Sequence, residues 1–252
     1  MKIIIAPAKK MKVDSDSFEV RGAPVYLSQT EKILSVLKEM SYEELKKLWK
    51  SSDRLTKQNY DVLQNINLRR NLTPAVMAYT GIQYQYMAPD LMTTDQLKYL
   101  QKNLRILSGF YGILKPFDGI VPYRLGMQAK LQIEGQFNLY NFWNRRLYDD
   151  LYNDNHDVIN LASKEYEKAI RPYLDKKDQL ITCVFGEMID GKVKQKATQA
   201  KMARGEMVNY ISQIKLSEVN QLKGFNRLGY QYQERMSDTS TMVFTKESEL
   251  IN

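Results

Sequence analysis

The sequence predicts a mixed α/β fold in which helices pack on a mixed, partly parallel sheet. Short apolar runs typical of buried strands recur along the chain, and amphipathic helical patterns lie between them. In addition, the 252 residues contain no internal repeat, low-complexity tract or linker. We therefore predict a single domain over residues 1–252.

Apolar runs indicate the strands. The first, KIIIA at residues 2–6, is continuously apolar and ends at Pro7, which is typical of a short strand buried on both faces. The runs at 76–79, 158–161 and 180–185 are rich in β-branched or aromatic residues and are bounded by polar or glycine positions. Each of these runs is expected to lie in the sheet.

Helices are predicted from caps and apolar spacing. Capping boxes of the form Ser-x-x-Glu at 28–31 and 41–44 indicate helix starts. Leucines spaced by three and four residues predict a helix over 94–109. Apolar spacing at 139–151 and 197–214 predicts further helices.

Cysteine and histidine usage limits the chemistry of the chain. Cys183 is the only cysteine, which indicates a reducing compartment, and its apolar neighbours predict a buried thiol. His156 is the only histidine, so a site with two imidazoles, or with an imidazole and a thiolate pair, cannot form within the chain. The polar run 153–157 around it predicts a surface loop rather than a Ser-His-Asp triad. We expect no bound transition metal, haem or flavin.

The apolar runs are short. None approaches the roughly 20 residues that a membrane span needs, and the apolar start stops at Pro7, too early for a signal-peptide core. We therefore expect a cytoplasmic protein with no membrane contact. The sequence indicates no obvious protein partner.

Positive charge is concentrated in two windows. The formal net charge is +8; residues 98–130 contain six lysines and arginines against one acid, and residues 192–204 contain five and no acid. Such clustering is expected for a phosphate-rich partner, because each neutralised phosphate releases condensed counterions. At helical spacing, Lys194, Lys201 and Arg204 share one face beside an apolar face. The alternative is an ordinary solvated face.

The segment LRILSGFYGILKPFDGIVPYRLGM, at residues 104–127, interrupts apolar residues with glycines and prolines. A helix that ends at 108–112 and is followed by further apolar positions predicts a helix-hairpin-helix-like element, in which backbone amides approach a DNA phosphate. Gly109 and Gly112 are spaced more widely than is usual in that motif, so an ordinary helix C-cap is the alternative. No G-x-x-x-x-G-K-[ST] loop for a nucleoside triphosphate is present.

The chain also resembles a known family over nearly its whole length. The strings that carry the resemblance are APAK at 6–9, the segment at 104–127, LYNFW at 139–143, VINLASKEYEKAI at 158–170, KMARG at 201–205 and GFN at 224–226. They are similar to those of the bacterial YaaA family of peroxide-stress resistance proteins. The resemblance implies a cytoplasmic protein that limits free iron during hydrogen peroxide stress and binds DNA through a helix-hairpin-helix element.

The resemblance also places the family's basic positions in this sequence. They fall on Lys9, Arg105, Lys115, Arg124, Lys164, Lys201 and Arg204. The pattern is broken where Ala6 stands in place of a common serine, Tyr86 in place of a glycine and Gly126 in place of an acidic residue. A role that a hydroxyl or carboxylate plays at those places in a relative is therefore not carried over.

DNA binding is the leading functional hypothesis, with duplex or distorted and branched DNA as the partner. Cationic side chains would position phosphates and the 108–112 turn would donate backbone amides, without sequence readout. The predicted DNA-binding residues are Lys9, Arg105, Ser108, Gly109, Gly112, Lys115, Arg124, Lys164, Lys194, Lys196, Lys201 and Arg204.

The alternative hypothesis is an enzyme that acts on a nucleotide or a damaged nucleobase. Asp53, Asp118 or Glu165 would be its general acid or base, beside Lys9 and Lys164. An enzyme needs a concave site where a carboxylate and these cations converge, whereas a DNA binder needs an open groove. Direct iron sequestration is a third and weaker hypothesis, because no carboxylate cluster has ligand-like spacing.

Overall fold

The computed structural model describes residues 1–247 and confirms the predicted mixed α/β fold. The strands are β1 Lys2–Ile5, β2 Thr73–Pro74, β3 Leu104–Ser108, β4 Gly112–Leu114, β5 Gly119–Ile120, β6 Asp157–Leu161, β7 Gln179–Ile189, β8 Lys192–Lys194, β9 Gln231–Tyr232 and β10 Thr241–Glu247. One mixed sheet has the order β4-β3-β1-β6-β7-β10-β9, with β8 paired to β7, and β2 pairs with β5 separately.

Helices surround this sheet. They are α1 Leu27–Glu39, α2 Tyr42–Trp49, α3 Asp53–Gln64, α4 Ala75–Ala78, α5 Ile82–Met87, α6 Thr94–Asn103, α7 Leu139–Trp143, α8 Arg146–Tyr152, α9 Lys164–Glu167 and α10 Ala197–Ile214. Short 3₁₀ helices lie at Pro89–Leu91, Arg171–Tyr173, Val219–Gly224, Arg227–Gly229 and Glu234–Met236. Within residues 1–247, no helix combines the length and the apolar character needed to cross a bilayer.

The centre of the sheet is parallel. Strands β3, β1, β6, β7 and β10 run in one direction, and β4, β8 and β9 are antiparallel to their neighbours. Parallel strands end at the same side of a sheet. We call the side where Ile5, Ser108 and Leu161 end, with the loops that follow them, the C-terminal edge. The opposite side, where Lys2, Leu104 and Asp157 begin their strands, is the N-terminal edge.

Several predicted elements are confirmed. The apolar runs that begin at residues 2, 158 and 180 form β1, β6 and β7, and the 197–214 pattern is α10. Ile3, Ile4 and Ile5 have no exposed surface, as expected for a strand that is covered on both faces. At the start of α2, Ser41 and Glu44 form the predicted capping box, in which the Ser41 amide donates to the Glu44 carboxylate at 2.8 Å.

The predicted helix over 94–109 is wrong in its second half. It ends at Asn103, and residues 104–108 form β3, which pairs with β1 on one side and β4 on the other. All five residues of β3 are buried, so the leucine spacing coincides with a continuous buried run. Pairing on both sides satisfies the backbone groups of such a run inside the sheet.

The helix-hairpin-helix at 108–112 is therefore wrong as well, because these residues connect the two strands of a β-hairpin. Gly112 has a φ of 75°, and a β-carbon there would lie 2.8 Å from the ring of Trp143. A β-carbon on Gly109 would lie 2.8 Å from the carbonyl carbon of Gly126. Close packing, not the approach of a phosphate, requires these glycines.

Other local predictions also need correction. Residues 75–78 form α4, and Tyr79 makes only an isolated bridge with Met11, so the predicted strand at 76–79 is wrong. Ser28 lies inside α1, which starts without a side-chain cap. The predicted helix over 139–151 is broken at Asn144, where φ is 47°. Short apolar runs fit helix and strand alike, which explains the first error.

The last long helix packs directly against α5 and β7. A β-carbon at Gly205 would overlap the carbonyl oxygen of Gln83, so the two helix backbones touch at this point. The Asn209 side chain donates to the carbonyl of Met87 at 2.9 Å and fixes the same contact. Buried residues from the sheet and from these helices belong to one hydrophobic core.

Candidate functional site

A helical hairpin lies beside the sheet. Helices α2 and α3 are joined by only Lys50, Ser51 and Ser52, and Lys50 adopts a left-handed conformation that ends α2. The hydroxyls of Ser51 and Thr56 are hydrogen bonded at 2.9 Å, and Tyr42 Oη donates to the carbonyl of Asp53 at 3.1 Å. The turn is thus held to both helices. We call residues 42–64 the helical hairpin.

The turn of the helical hairpin has an exposed and positive surface. Residues 46–57 contain five lysines and arginines and one acid. Lys46 pairs with that acid, Asp53, at 2.7 Å. Lys50, Arg54 and Lys57 are exposed and have no acid within 4.0 Å among residues 1–247.

The first turn of α3 adds backbone donors to this surface. Ser52 occupies the N-cap position, but its side chain makes no capping hydrogen bond. The first amides of a helix lack intrahelical partners and attract anions. Sequence reasoning missed this element because its charge lies outside the two windows; the Ser41 capping box followed by Lys50-Ser51-Ser52 was the available signal.

The C-terminal edge contains a chain of hydroxyl groups. Tyr123 Oη lies 2.8 Å from Tyr79 Oη and 2.7 Å from Ser108 Oγ. Ser108 Oγ also accepts hydrogen bonds from the amides of Phe110 and Tyr111, at 3.1 and 2.9 Å. Burial raises the pKa of Tyr123 to about 12 and that of Tyr79 well above its ordinary value. These phenols therefore stay protonated at neutral pH.

Lys9, Lys164 and Glu165 follow strands at the same edge. Lys9 is exposed in the loop after β1, and Lys164 is exposed at the start of α9 after β6. Glu165 is half-buried, and its carboxylate accepts a hydrogen bond from the Gln128 amide at 3.3 Å. A β-carbon at Gly126 would lie 3.0 Å from Glu165 Oε1, so an acidic side chain at this position would face a like charge.

Arg124 connects the helical hairpin to the C-terminal edge. It is half-buried and lines a crevice with Trp49 of α2 and with Tyr123. Burial lowers the pKa of the Arg124 guanidinium from its ordinary value. An arginine nevertheless remains charged at neutral pH. The described part of the chain offers no acceptor to the buried Arg124 Nε.

Other predicted DNA-binding residues lie at the N-terminal edge or in the core. Arg105 is 7% exposed, donates to the carbonyl of Leu104 at 2.8 Å, and faces Asp150 at 3.9 Å. Lys115 lies beside it, because β4 pairs antiparallel with β3. Ser108, Gly109 and Gly112 are buried. The 98–130 window is thus divided between opposite edges of the sheet.

The cations near α10 are largely paired. Lys196 contacts Glu187 at 2.7 Å, and Lys194 contacts Asp190 at 3.6 Å. Lys194 lies in β8 rather than on α10, so the predicted helical face shared with Lys201 and Arg204 is wrong for this residue.

The two basic residues on α10 itself have different environments. Lys201 is exposed, whereas Arg204 is half-buried. Burial lowers the pKa of Arg204, and the negative charge of the nearby Glu167 carboxylate opposes this shift. Its Nε finds no acceptor among residues 1–247. Glu187 and Asp190, which lie close in space, therefore offset part of the positive charge of the 192–204 window.

The candidate catalytic residues do not converge on one site. Asp53 lies on the helical hairpin, and Asp118 is buried and accepts a hydrogen bond from the Lys115 amide at 2.8 Å. Burial raises the pKa of Asp118 to about 6. Only Lys9, Lys164 and Glu165 share an edge. Among residues 1–247, no group of three His, Cys, Asp or Glu side chains could hold a metal ion.

The lone histidine and cysteine fit their predicted environments. His156 is exposed, and its Nδ1 lies 2.9 Å from the Asp178 carboxylate. Cys183 is 1% exposed, and burial raises its pKa to about 12. The thiolate, which is the reactive form of cysteine, is therefore scarce at neutral pH.

Comparison with known proteins accounts for nearly the whole chain. Residues 1–236 match the family model described as peroxide stress protein YaaA. A UPF0246 protein of Pediococcus pentosaceus is 61% identical over 246 residues, with 98% of each chain covered. UPF0246 proteins of Limosilactobacillus reuteri and Lactiplantibacillus plantarum are 54% and 53% identical, each with 97% of this chain and 98% of the relative covered. The chain therefore belongs to the peroxide stress protein YaaA family.

Proposed function

We propose that this family member binds the phosphate backbone of DNA, with the turn of the helical hairpin as the principal contact. The observation that carries the proposal is the uncapped first turn of α3 beside Lys50, Arg54 and Lys57, which have no acid within 4.0 Å among residues 1–247. Backbone amides at a helix start and flanking cations are the two components of a common phosphate site.

Arg124 extends this surface toward the C-terminal edge. It lines the same crevice as Trp49 of the helical hairpin, and its neighbour Tyr123 joins the hydroxyl chain that reaches Ser108. Lys9, in the loop after β1, and Lys164, at the start of α9, are exposed at that edge. A nucleic acid that lies on the hairpin turn would therefore meet further cations in this direction. Contacts of this kind recognise the backbone and carry little sequence information.

The cellular part of the proposal is a cytoplasmic stress-response protein that helps to protect against hydrogen peroxide by limiting free iron. Membership in the peroxide stress family supports it, and the lone, buried Cys183 suits a reducing compartment. A deletion strain should be more sensitive to hydrogen peroxide, and an iron chelator should relieve the defect. Equal survival of deletion and parent strains at all peroxide doses would refute this part.

Salt-dependent binding tests the DNA contact directly. We compare the triple variant Lys50→Ala, Arg54→Ala and Lys57→Ala with the unaltered chain on a duplex. Each lost phosphate contact should reduce the slope of log affinity against log salt by about 0.9, so three contacts account for roughly 2.7. The weakening should be alike for all duplex sequences, because backbone contacts carry no base information.

A matched variant controls for the change in net charge. Lys102→Ala, Lys176→Ala and Lys177→Ala removes the same charge from exposed positions. These lysines precede strands at the N-terminal edge, away from the helical hairpin. This control should retain the slope of the unaltered chain. Equal slopes for all three proteins would remove the hairpin from the interface.

An enzyme on a nucleotide or damaged nucleobase is the second candidate. The observation that favours it is the half-buried Glu165 carboxylate, which follows β6 at the C-terminal edge next to Lys164. In open α/β sheets, ligands bind outside the carboxyl ends of the strands. Oligonucleotides with damaged bases should then give a product that Glu165→Gln abolishes. The absence of product with the unaltered protein would reject this candidate.

A further inference from the structure

The crevice between the helical hairpin and the C-terminal edge contains buried hydrogen-bond donors without acceptors. Trp49 is 8% exposed, and its Nε1 has no exposed surface and no acceptor within residues 1–247. Arg124 also lines the crevice, and its buried Nε likewise has no acceptor within residues 1–247. A buried donor that lacks an acceptor costs free energy. Two such donors in one crevice indicate a missing acceptor.

The shape of the crevice limits what this acceptor can be. The crevice holds about 240 Å³ of empty space, part of which is open to solvent, while its enclosed part has room for only about one water-sized group. Leu37, Val62 and Phe110 make its walls largely apolar. One oxygen atom of a flat and mostly apolar group fits this description better than a hydrated phosphate does.

We propose that the crevice receives an exocyclic carbonyl oxygen of an unpaired nucleobase, which accepts hydrogen bonds from Trp49 Nε1 and Arg124. This inference rests on the proposed DNA binding, because residues of the helical hairpin, the proposed DNA contact, line the crevice. Val62 on α3 lines the crevice and is 40% exposed, so the crevice reaches the surface of the chain at the helical hairpin. DNA held by the hairpin would present an extrahelical base at this entrance.

The donors also predict which bases are accepted. Thymine carries exocyclic carbonyl oxygens, whereas the exocyclic group of adenine is an amino donor. An amino group placed against Trp49 Nε1 and Arg124 would bring donors against donors and leave all of them unsatisfied. The crevice should therefore prefer an unpaired thymine to an unpaired adenine. Stacking alone would not produce this preference, since every base has an aromatic face.

The test compares three duplexes of one length: fully paired, with one unpaired thymine, and with one unpaired adenine. Fluorescence anisotropy gives the affinity of each for the full chain. We expect the thymine duplex to bind about tenfold more tightly than the adenine duplex, since buried donors gain an acceptor in one and not in the other. The paired duplex reports the proposed DNA contact independently of the crevice.

Variants assign the preference to the two donors. Trp49→Phe keeps an aromatic ring and removes the N–H, and Arg124→Lys keeps the charge and removes Nε. Each should bring the thymine-to-adenine ratio close to one. Trp49→Phe should also leave binding of the paired duplex within about twofold, because the backbone contacts remain. Arg124→Lys is judged by the ratio alone, because Arg124 belongs to the proposed DNA-binding surface. Tyr60→Phe removes a hydroxyl from the same hairpin outside the crevice and should retain the full ratio. Arg124→Lys remains informative if Trp49→Phe does not fold.

Each outcome decides between the two proposals. Binding of the paired duplex without a thymine preference overturns the crevice and leaves the hairpin contact in place. A preference that survives both Trp49→Phe and Arg124→Lys also overturns it. If no duplex binds, DNA binding and the crevice both fail.

Discussion

In the sequence, the helical hairpin and the start of α10 carry similar clusters of lysines and arginines. In the folded chain, the two clusters differ in how many of these cations contact an acid. Around α10, Glu187 and Asp190 precede the basic window in the sequence and contact its lysines. At the hairpin, Asp53 pairs with Lys46 and leaves Lys50, Arg54 and Lys57 without an acid within 4.0 Å in the described structure. A cluster of cations in a sequence therefore indicates a binding surface only after the neighbouring strands have been considered.

The largest expected effect on the free energy of unfolding is at Arg105. It distinguishes cations that stabilise the fold from cations that are free to bind a partner. Its guanidinium is almost completely buried and bonds to main-chain carbonyls beside Asp150. Arg105→Ala should lower the free energy of unfolding by about 3 kcal/mol, because it leaves a cavity and a partly buried carboxylate without its partner. Denaturant unfolding measures this loss. A loss of less than about 0.5 kcal/mol, the usual value for surface positions, would show that Arg105 does not stabilise the fold.

The pH dependence of Asp118 is the next largest effect. Burial raises its pKa from an ordinary value of 3.8 to about 6. The folded state therefore holds the proton more tightly, and the associated stability is present below pH 4 and is lost as the pH rises through 6. The loss amounts to about 3 kcal/mol at most, given about 1.4 kcal/mol for each pKa unit.

Asp118→Asn isolates this contribution. The amide does not titrate, so the variant should lack this component of the stability profile between pH 4 and 7. Unfolding measured at several pH values gives the difference between the two proteins. A difference that stays constant over the range would mean that the Asp118 pKa is not raised.

Lys196 should have a smaller effect. Its ammonium group is one of two near the buried Glu187 carboxylate, with Lys246 at 3.8 Å from the other oxygen. Lys196→Ala should lower the free energy of unfolding by about 1–2 kcal/mol, because Lys246 remains and Lys196 itself is largely exposed. Lys194→Ala, whose pair with Asp190 is exposed, is the matched control and should be nearly neutral. Equal losses would mean that the burial of Glu187 has no consequence.

The smallest stability effects are expected at the helical hairpin. Lys50, Arg54 and Lys57 are exposed and have no acid within 4.0 Å among residues 1–247. Each alanine variant should therefore change the free energy of unfolding by less than about 0.5 kcal/mol. Thermal unfolding of the single variants checks this expectation. A large loss at Lys50 would instead indicate that its left-handed backbone conformation needs the lysine side chain.

Sequence patterns correctly predicted the elements that have a regular pattern of buried residues or a clear cap. The KIII run of β1 is buried on both faces, and the Ser41 box and the α10 pattern each correspond to one helix. Prediction failed at 104–108, where an apolar run with helical leucine spacing is inserted between two other strands. Pairing with β1, about a hundred residues away, decides this conformation, and local spacing does not contain it.

The candidate site was predicted less well for the same reason. Lys9, Lys164 and Arg124 lie near the C-terminal edge or the hairpin, but Arg105 lies at the other edge and is buried. Residues that are close in the sequence can lie at opposite edges of the sheet, as Arg105 and Ser108 do at the two ends of β3. The crevice depends on Trp49 and Arg124, which are far apart in sequence. No spacing rule brings these two together.

The hydroxyl chain at the C-terminal edge has a consequence for proton positions. Both lone pairs of Ser108 Oγ are used by the amides of Phe110 and Tyr111. Its own proton must therefore point to Tyr123 Oη, and the direction of this hydrogen bond is fixed by the β-hairpin turn. Ser108 thus behaves as a permanent donor that sets the angle of the Tyr123 phenol, and it has no free electron pair with which to attack a substrate.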